Sequence, residues 1–260
     1  MQTIRIISYN VNGIRAAINK GFMEWLATNP ADIICLQEIK AQKENIDFEA
    51  IHALGYETFW YPAQKKGYSG VAIVTKITPA KVCYGSGAEL SDAEGRVIRA
   101  DFTHFSIINA YFPSGTSGDE RQTYKYQWLD EFNHYISKLR NEKPNLVVVG
   151  DYNIAHREID IHDPKGNKKS SGFLPEERAW MDNWLSNGFI DTFRYCNPAT
   201  TGAYSWWSQR FPSVRLQNKG WRIDYICATS SLTGNITAAS ILPDIKHSDH
   251  CPVQVDISFP

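Results

Sequence analysis

The chain has 260 residues, of which 43% are hydrophobic and 21% charged, as is usual for a globular protein. Its formal net charge of −1 excludes binding of nucleic acid through bulk positive charge, though not through a local basic groove. The five cysteines form no CxxC pair, which argues against a disulfide framework or a zinc ribbon. No apolar run approaches the roughly 18 residues of a membrane span, so we expect a cytoplasmic protein without a membrane segment.

Strand-like and helix-like segments alternate along the chain without linkers. In the first half, apolar runs predict strands at residues 4–9, 32–37, 56–62, 70–75, 97–102 and 105–111. Amphipathic spacing predicts helices at 15–27 and 120–139. Few helices separate the strands in the middle of this half, which favours antiparallel neighbours.

The second half continues the same alternation. It predicts a strand at 146–149, a polar loop at 160–172, a helix at 175–185, and strands at 204–208, 223–228, 236–242 and 253–257. The simplest architecture is an α/β four-layer sandwich, in which two mainly antiparallel β-sheets pack face to face with helices outside. We expect a single domain over residues 1–260.

Polar side chains end four apolar segments of the chain and interrupt a fifth. They are Asn10, Glu38, Asp151 with Asn153, Asp224, and Asp249 with His250. One strand-terminal Asp or Asn usually only caps a turn. Five such segments together supply the carboxylates that Mg²⁺ prefers and the amide donors that stabilise charge on a phosphate. The sequence therefore predicts metal-dependent hydrolysis of a phosphoester.

The same segments, in the same order, resemble the signatures of the exodeoxyribonuclease III and AP endonuclease family, within the endonuclease/exonuclease/phosphatase superfamily. They are SYNVNGIRA at 8–16, LQE at 36–38, GDYNIAH at 150–156, GWRIDY at 220–225 and SDHCP at 248–252, and the resemblance extends over residues 4–257. GDxN and SDH recur across the superfamily, whereas GWRIDY and the PKGNKK loop at 164–169 are narrower and indicate the AP endonuclease branch.

The resemblance implies a DNA-repair phosphodiesterase that uses Mg²⁺, or Mn²⁺ in its place. Such an enzyme incises DNA 5′ to abasic sites and removes nucleotides or blocking groups from 3′ ends. Its substrate is double-stranded DNA with abasic sites or 3′ ends, and we expect the protein to act as a monomer. Two alternatives remain open: a superfamily phosphatase acting on a small phosphoester, and a non-catalytic DNA-binding module.

The resemblance also implies what individual residues do at the reacting phosphate. Glu38 is expected to be the principal metal ligand, and the other residues of the metal site are Asn10, Asp151, Asn153, Asp249 and His250. Asp151 is expected to position and activate the attacking water, and Asn153 to stabilise the transition state. Tyr111 and His250 are expected to contact the phosphate, with Asp224 orienting His250. A purely structural role for Asp224, as a satisfied buried carboxylate, stays open.

The remaining residues with expected roles are those that would contact DNA. Basic and amide side chains are predicted to bind phosphates, although each basic residue alone is more often a solvated surface charge. They are Arg121, Lys125 and Asn167, with Arg96, Lys165, Lys168 and Lys169. Trp206, Trp221 and Ile223 resemble an apolar pocket for an extruded abasic sugar, whereas Trp207 is expected to be a core residue.

Overall fold

The computed structural model describes residues 2–28, 31–210 and 213–260, and within them the strands form two sheets of six strands each. Most of the strands are runs of apolar and β-branched residues, which favour the extended conformation. In chain order they are β1 (Gln2–Asn10), β2 (Ile33–Gln37), β3 (Glu57–Tyr61), β4 (Val71–Thr75), β5 (Lys81–Tyr84), β6 (Val97–Asp101), β7 (Ser106–Tyr111), β8 (Leu146–Asp151), β9 (Phe189–Asp191), β10 (Asp224–Thr229), β11 (Ile236–Ile241) and β12 (Val253–Phe259).

Each sheet is built around one parallel pair of strands. The first sheet has the order β11-β12-β1-β2-β4-β3, with β1 and β2 parallel, and the second has the order β5-β6-β7-β8-β10-β9, with β7 and β8 parallel. The other pairings in the described residues are antiparallel, so the prediction of mainly antiparallel sheets is confirmed. Because parallel strands end at the same edge, Asn10 lies opposite Gln37 and Tyr111 lies opposite Asp151.

Helices cover the outer faces of both sheets and complete the four predicted layers. The α-helices of the described residues are α1 (Ile14–Ile18), α2 (Phe22–Thr28), α3 (Phe48–Ala53), α4 (Glu89–Ala93), α5 (Asp119–Arg140), α6 (Pro175–Ser186), α7 (Thr192–Cys196) and α8 (Ser213–Leu216). Helices α1 to α3 pack on the first sheet, α5 and α6 pack on the second, and a further apolar core fills the space between the sheets. Among the described residues, no helix is both long enough and apolar enough to cross a bilayer.

The structure differs from the predicted elements at several places, among them the short helices α3, α4, α7 and α8, which were not predicted. The helix expected at 15–27 is two helices, because the chain turns at Gly21, whose φ of 94° favours glycine. The strand expected at 204–208 does not form, since Trp206 makes only isolated bridges to Trp221 and His250. Strands β5 and β9 were not predicted, because segments of four and three residues are too short to show a pattern.

A small group of hydrogen bonds crosses the apolar layer between the sheets, near the edge where the parallel strands end. Gln37 of β2 donates from Nε2 to Ser8 Oγ at 3.0 Å and to Asn109 Oδ1 at 2.7 Å. Asn109 of β7 donates from Nδ2 to the carbonyl oxygens of Leu36 and Ala72 at 2.9 and 2.8 Å. All three side chains are fully buried, so these bonds hold the two sheets in one alignment at this edge.

Candidate active site

Carboxylate and amide side chains from both sheets meet at the edge where the parallel strands end. Asn10 ends β1, and Glu38 follows β2 in a left-handed conformation with a φ of 54°. Asn10 Nδ2 donates to Glu38 Oε2 at 3.1 Å and to Asp151 Oδ2 at 2.9 Å, so one amide joins the two sheets. In this arrangement the Asn10 amide donates to both carboxylates and holds them close together.

Two neighbours of this group were not predicted from the sequence. Lys40 Nζ lies 2.8 Å from Glu38 Oε1 and 2.7 Å from Asn12 Oδ1. Asn12 in turn donates from Nδ2 to Asp249 Oδ1 at 2.9 Å, which brings the SDH segment next to Glu38. Asn12 lies within the SYNVNGIRA segment, whereas the only sequence signal for Lys40 was its nearness to Glu38.

Asp151 ends β8 in a turn whose conformation depends on the residues around it. A Cβ atom at Gly150 would lie 1.8 Å from the carbonyl oxygen of Ala110, so the close approach of β7 requires glycine there. Asn153 has a φ of 52°, and its backbone N–H donates to Asp151 Oδ1 at 2.9 Å. Asn153 Nδ2 donates to Asp151 Oδ2 at 3.2 Å, so both carboxylate oxygens are held in place.

His250 faces Asp151 and is held by a second buried carboxylate. Its Nδ1 lies 2.9 Å from Asp224 Oδ2, and its Nε2 lies 3.9 Å from Asp151 Oδ2. Ser205, which was not predicted, donates from Oγ to the same Asp224 oxygen at 2.6 Å. Burial alone would lower the pKa of His250, but the carboxylates of Asp224 and Asp151 outweigh it and raise this pKa to about 10. His250 is therefore an imidazolium near neutral pH.

Ionisation is shifted at three further residues of the site. Burial raises the pKa of Asp151; His250 opposes this shift and Asp224 adds to it. Burial also opposes ionisation of Asp249, but His250 and the donors Asn12 and Trp206 outweigh it, and the pKa of Asp249 is lowered. The pKa of the Tyr111 phenol is raised by burial and then by the charges of Glu38 and Asp151. Tyr111 thus keeps its proton and can donate a hydrogen bond.

A cleft of about 830 Å³ opens over these groups, and two indoles form part of its wall. The rings of Trp206 and Trp221 stand edge to face with centroids 6.0 Å apart. Ile223 packs with them in a small apolar cluster, and Trp206 Nε1 donates to Asp249 Oδ2 at 3.1 Å. Trp207 is buried in a separate core, as expected. The predicted residues that line the cleft are Glu38, Tyr111, Asp151, Asn153, Lys169, Trp206, Trp221, Ile223, Asp249 and His250.

Several residues predicted to contact phosphates do not face this cleft. The side chains of Lys125 and Arg96 are 0% and 2% exposed and form ion pairs with Glu177 and Glu94. The prediction that they meet DNA directly is therefore wrong, because neither could do so without breaking a buried pair.

The other predicted phosphate contacts are mixed in their placement. Arg121 is partly exposed and donates to Glu94 Oε1 and to the Tyr68 hydroxyl, both at 3.0 Å. Asn167 Nδ2 donates to a carbonyl oxygen of its own loop, that of Asp163, at 2.9 Å. Lys165 and Lys168 are exposed but do not line the cleft, whereas Lys169 does. Arg210, which was not predicted, lines the cleft as well.

The donor set of the cleft fits a hard divalent cation. Glu38, Asp151 and Asp249 bring three carboxylates to one cleft, and oxygen ligands are those that such cations prefer. Within the described residues, one ligand atom each from Asp151, Asp224 and His250 also lie within 4.8 Å of one another, a group that could hold a metal ion. His250 is the weakest candidate, because a protonated imidazole has no free electron pair for a metal.

Comparison with known proteins connects this geometry to a family. The sequence profile of the endonuclease/exonuclease/phosphatase family matches residues 7–250. An exodeoxyribonuclease of Bacillus subtilis (strain 168) is 43% identical over 257 residues, which cover 98% of this chain and 100% of the relative. A DNA-(apurinic or apyrimidinic site) endonuclease of Dictyostelium discoideum is 38% identical over 259 residues, which cover 98% of this chain and 71% of the relative.

A solved structure shows the same likeness in three dimensions. The structure of an AP endonuclease from Archaeoglobus fulgidus matches 98% of this chain and 100% of its own, with a TM-score of 0.89 and 31% sequence identity. The resemblance to exodeoxyribonuclease III and AP endonucleases that the motifs predicted is thereby confirmed. The chain therefore belongs to the endonuclease/exonuclease/phosphatase family, and its relatives there include an exodeoxyribonuclease and an endonuclease of apurinic or apyrimidinic sites.

Proposed function

We propose that this chain is a Mg²⁺-dependent phosphodiesterase of DNA repair, which incises DNA 5′ to abasic sites and removes nucleotides or blocking groups from 3′ ends. The observation that carries the proposal is a buried imidazolium–carboxylate pair in the same cleft as a wall of two indoles. The imidazolium can donate a hydrogen bond to the charged oxygens of a phosphodiester, and the indole wall can pack against a sugar that lacks its base. A phosphatase for small phosphoesters would not need the apolar wall.

The metal belongs to this proposal because the cleft supplies oxygen donors. Glu38, Asp151 and Asp249 would hold Mg²⁺ directly or through water, and Mn²⁺ would be accepted by the same donors. When bound, the ion would polarise the phosphate and stabilise the leaving oxygen.

The side chains themselves supply proton transfer and orientation. Asp151, held by Asn10 and Asn153, would accept a proton from the attacking water. His250, charged through its pair with Asp224, would donate from Nε2 to a phosphate oxygen. Tyr111 would donate its phenolic hydrogen to the same group. These hydrogen bonds strengthen as negative charge builds on the phosphate, which is the condition for lowering the barrier.

Recognition of damage would depend on the apolar wall. An abasic sugar is extruded from the duplex at low cost, because no base pair or complete stack is lost. The space beside Trp206 and Trp221 would accept that sugar and exclude a nucleotide that keeps its base. Lys169 and Arg210, at the same cleft, would contact backbone phosphates of double-stranded DNA. We propose that a monomer performs this reaction in the cytoplasm.

The test uses two duplexes with Mg²⁺, one containing an abasic-site analogue and one undamaged with a recessed 3′ end. We expect the wild type to cleave both, and Asp151→Asn to lose both activities by at least about 100-fold while it still binds DNA. The exposed Asp130→Asn, on α5, is the matched control and should leave both rates unchanged. A wild type that cleaves neither duplex, or that hydrolyses only small phosphoesters, would contradict the proposal.

A further inference from the structure

A buried ion pair behind the cleft takes no part in the proposed chemistry. Lys125 of α5 and Glu177 of α6 are both 0% exposed, and Lys125 Nζ lies 2.5 Å from Glu177 Oε1. A buried pair of this kind is weak evidence for stability, because the loss of hydration offsets much of the attraction between the charges. The other contacts of the two side chains therefore indicate what the pair does.

Each partner binds the backbone of a segment that lines the cleft. Lys125 Nζ donates to the carbonyl oxygen of Asn153 at 2.8 Å. Glu177 Oε2 accepts the backbone N–H of Gly172 at 2.6 Å and that of Leu174 at 3.0 Å. The pair thus connects two helices of the outer layer to the turn after β8 and to the loop before α6.

Both backbone segments carry part of the proposed site. Asn153 donates to Asp151 through its N–H and through Nδ2, so movement of the Asn153 backbone would move the carboxylate. Gly172 lies against the indole wall, since a Cβ atom there would be 3.0 Å from Trp221 and 3.1 Å from the Asn153 carbonyl oxygen. The turn that carries Asn153 and the loop that carries Gly172 therefore lie against each other beside Trp221. The Lys125–Glu177 pair binds the backbone of both segments at this place.

We infer that the Lys125–Glu177 pair is a positioning device, which fixes the backbone of Asn153 and Gly172 and so sets the placement of Asp151 relative to Trp221. This inference rests on the proposed function, because it gives the pair an effect on turnover. Lys125 does not touch the substrate and acts through Asn153. An ammonium group suits this role, since it donates to a carbonyl and to a carboxylate from two different segments at once.

Two variants and a control separate positioning from stability. Lys125→Met removes the bond to Asn153 and leaves Glu177 charged without its cation. The double variant Lys125→Met/Glu177→Gln removes both charges, while the glutamine oxygen can still accept from Gly172. Asp101→Asn is the control: it weakens another inner ion pair, with Arg99 at 3.1 Å, where Asp101 lies opposite Ser106 at the end of β7 remote from Tyr111.

The kinetic constants for the abasic duplex and the thermal midpoint would be measured for wild type and all three variants. We expect Lys125→Met to lower kcat by at least about 10-fold with KM within about 3-fold, because the groups that contact DNA are unchanged. The double variant should recover much of the lost thermal stability, as neutral replacements of buried pairs often do. Its kcat should stay low, because the Asn153 carbonyl still lacks its donor. Asp101→Asn should lose stability and keep its kcat.

Each opposite result would overturn the inference. A double variant whose kcat returns together with its thermal midpoint would show that the pair matters only for stability. The same follows if Lys125→Met is no slower than Asp101→Asn. If neither Lys125 variant folds, the pair is a requirement of folding and not a positioning device. An inactive wild type would instead contradict the proposed function itself, which separates that failure from a failure of this inference.

Discussion

Glu38 combines access to solvent with a fixed position at the cleft. Its side chain is 18% exposed, compared with 2% for Asp151, so a cation entering the cleft meets it readily. Glutamine at this position keeps the size of the side chain and removes the charge. We expect Glu38→Gln to raise the Mg²⁺ concentration for half-maximal cleavage by about 10-fold or more.

A magnesium titration of the cleavage rate measures this effect. Glu44→Gln makes the same chemical change at an exposed residue a few positions along the chain, and it should leave the titration unchanged. An unaltered Mg²⁺ requirement in Glu38→Gln would remove Glu38 from the proposed metal site.

In the proposed site, Asp224 would act on the phosphate through His250, which it contacts at 2.9 Å. Burial lowers the pKa of His250, and the charge of Asp224 is the foremost influence that raises it. Asp224→Asn removes that charge, so His250 should lose its proton at a lower pH. We expect the alkaline limb of the pH profile of kcat/KM to move down by at least about 1 pH unit. A limb that stays in place would leave Asp224 with a structural role alone.

Residues that face the cleft could be predicted from the sequence better than residues that support them. Glu38 and Asp151 stand at the ends of apolar strands, His250 stands in the SDH motif, and the structure brings all three to one cleft. Ser205 and Lys125 have no such pattern. Each acts through a contact between segments that are distant in the chain, and local sequence contains no information about such contacts.

At the scale of the elements, strand β7 is hydrogen-bonded to the opposite sheet through the buried amide of Asn109. Asn109 makes three hydrogen bonds in a mostly apolar layer, and leucine would remove the donor that the carbonyl oxygens of Leu36 and Ala72 share. We expect Asn109→Leu to lower the free energy of unfolding by about 2–4 kcal/mol. Urea unfolding measures this loss.

The control variant Asn183→Leu makes the same change on the exposed face of α6 and should shift the free energy of unfolding by less than about 0.5 kcal/mol. If Asn109→Leu and Asn183→Leu lost the same amount of stability, the inter-sheet hydrogen bonds would contribute nothing.

Elements were predictable where one pattern persisted over many residues. The helix expected at 120–139 is α5, because apolar residues recur on one face over its whole length and acidic residues begin it. The segment at 15–27 has apolar residues at helical spacing, but Gly21 interrupts it, and periodicity alone does not register such a turn. The strand expected at 204–208 failed for another reason: Trp206 packs at the cleft, whereas Tyr204 and Trp207 pack in a separate core, and the segment makes only isolated bridges.

At the scale of the whole molecule, the cleft lies where the two sheets end side by side. The first sheet supplies Asn10 and Glu38, and the second supplies Tyr111, Asp151 and Asp224. The presence of two sheets with helices outside could be predicted from the alternation of strands and helices along the chain. The order of the strands within each sheet could not be predicted. Neighbours such as β1 and β12 are at opposite ends of the chain, and strand patterns do not say which strands pair.

The pairing of β1 with β12 determines when, during synthesis, the first sheet can form in full. β1 lies inside its sheet, and its residues pair with β12 from Gln2 opposite Phe259 to Ser8 opposite Val253. During synthesis β1 leaves the ribosome long before β12 is translated. Until then, the backbone hydrogen-bonding groups of β1 that pair with β12 have no partner strand. Asp249 and His250 are translated only just ahead of β12. We therefore expect the growing chain to be inactive on DNA until β12 has paired with β1.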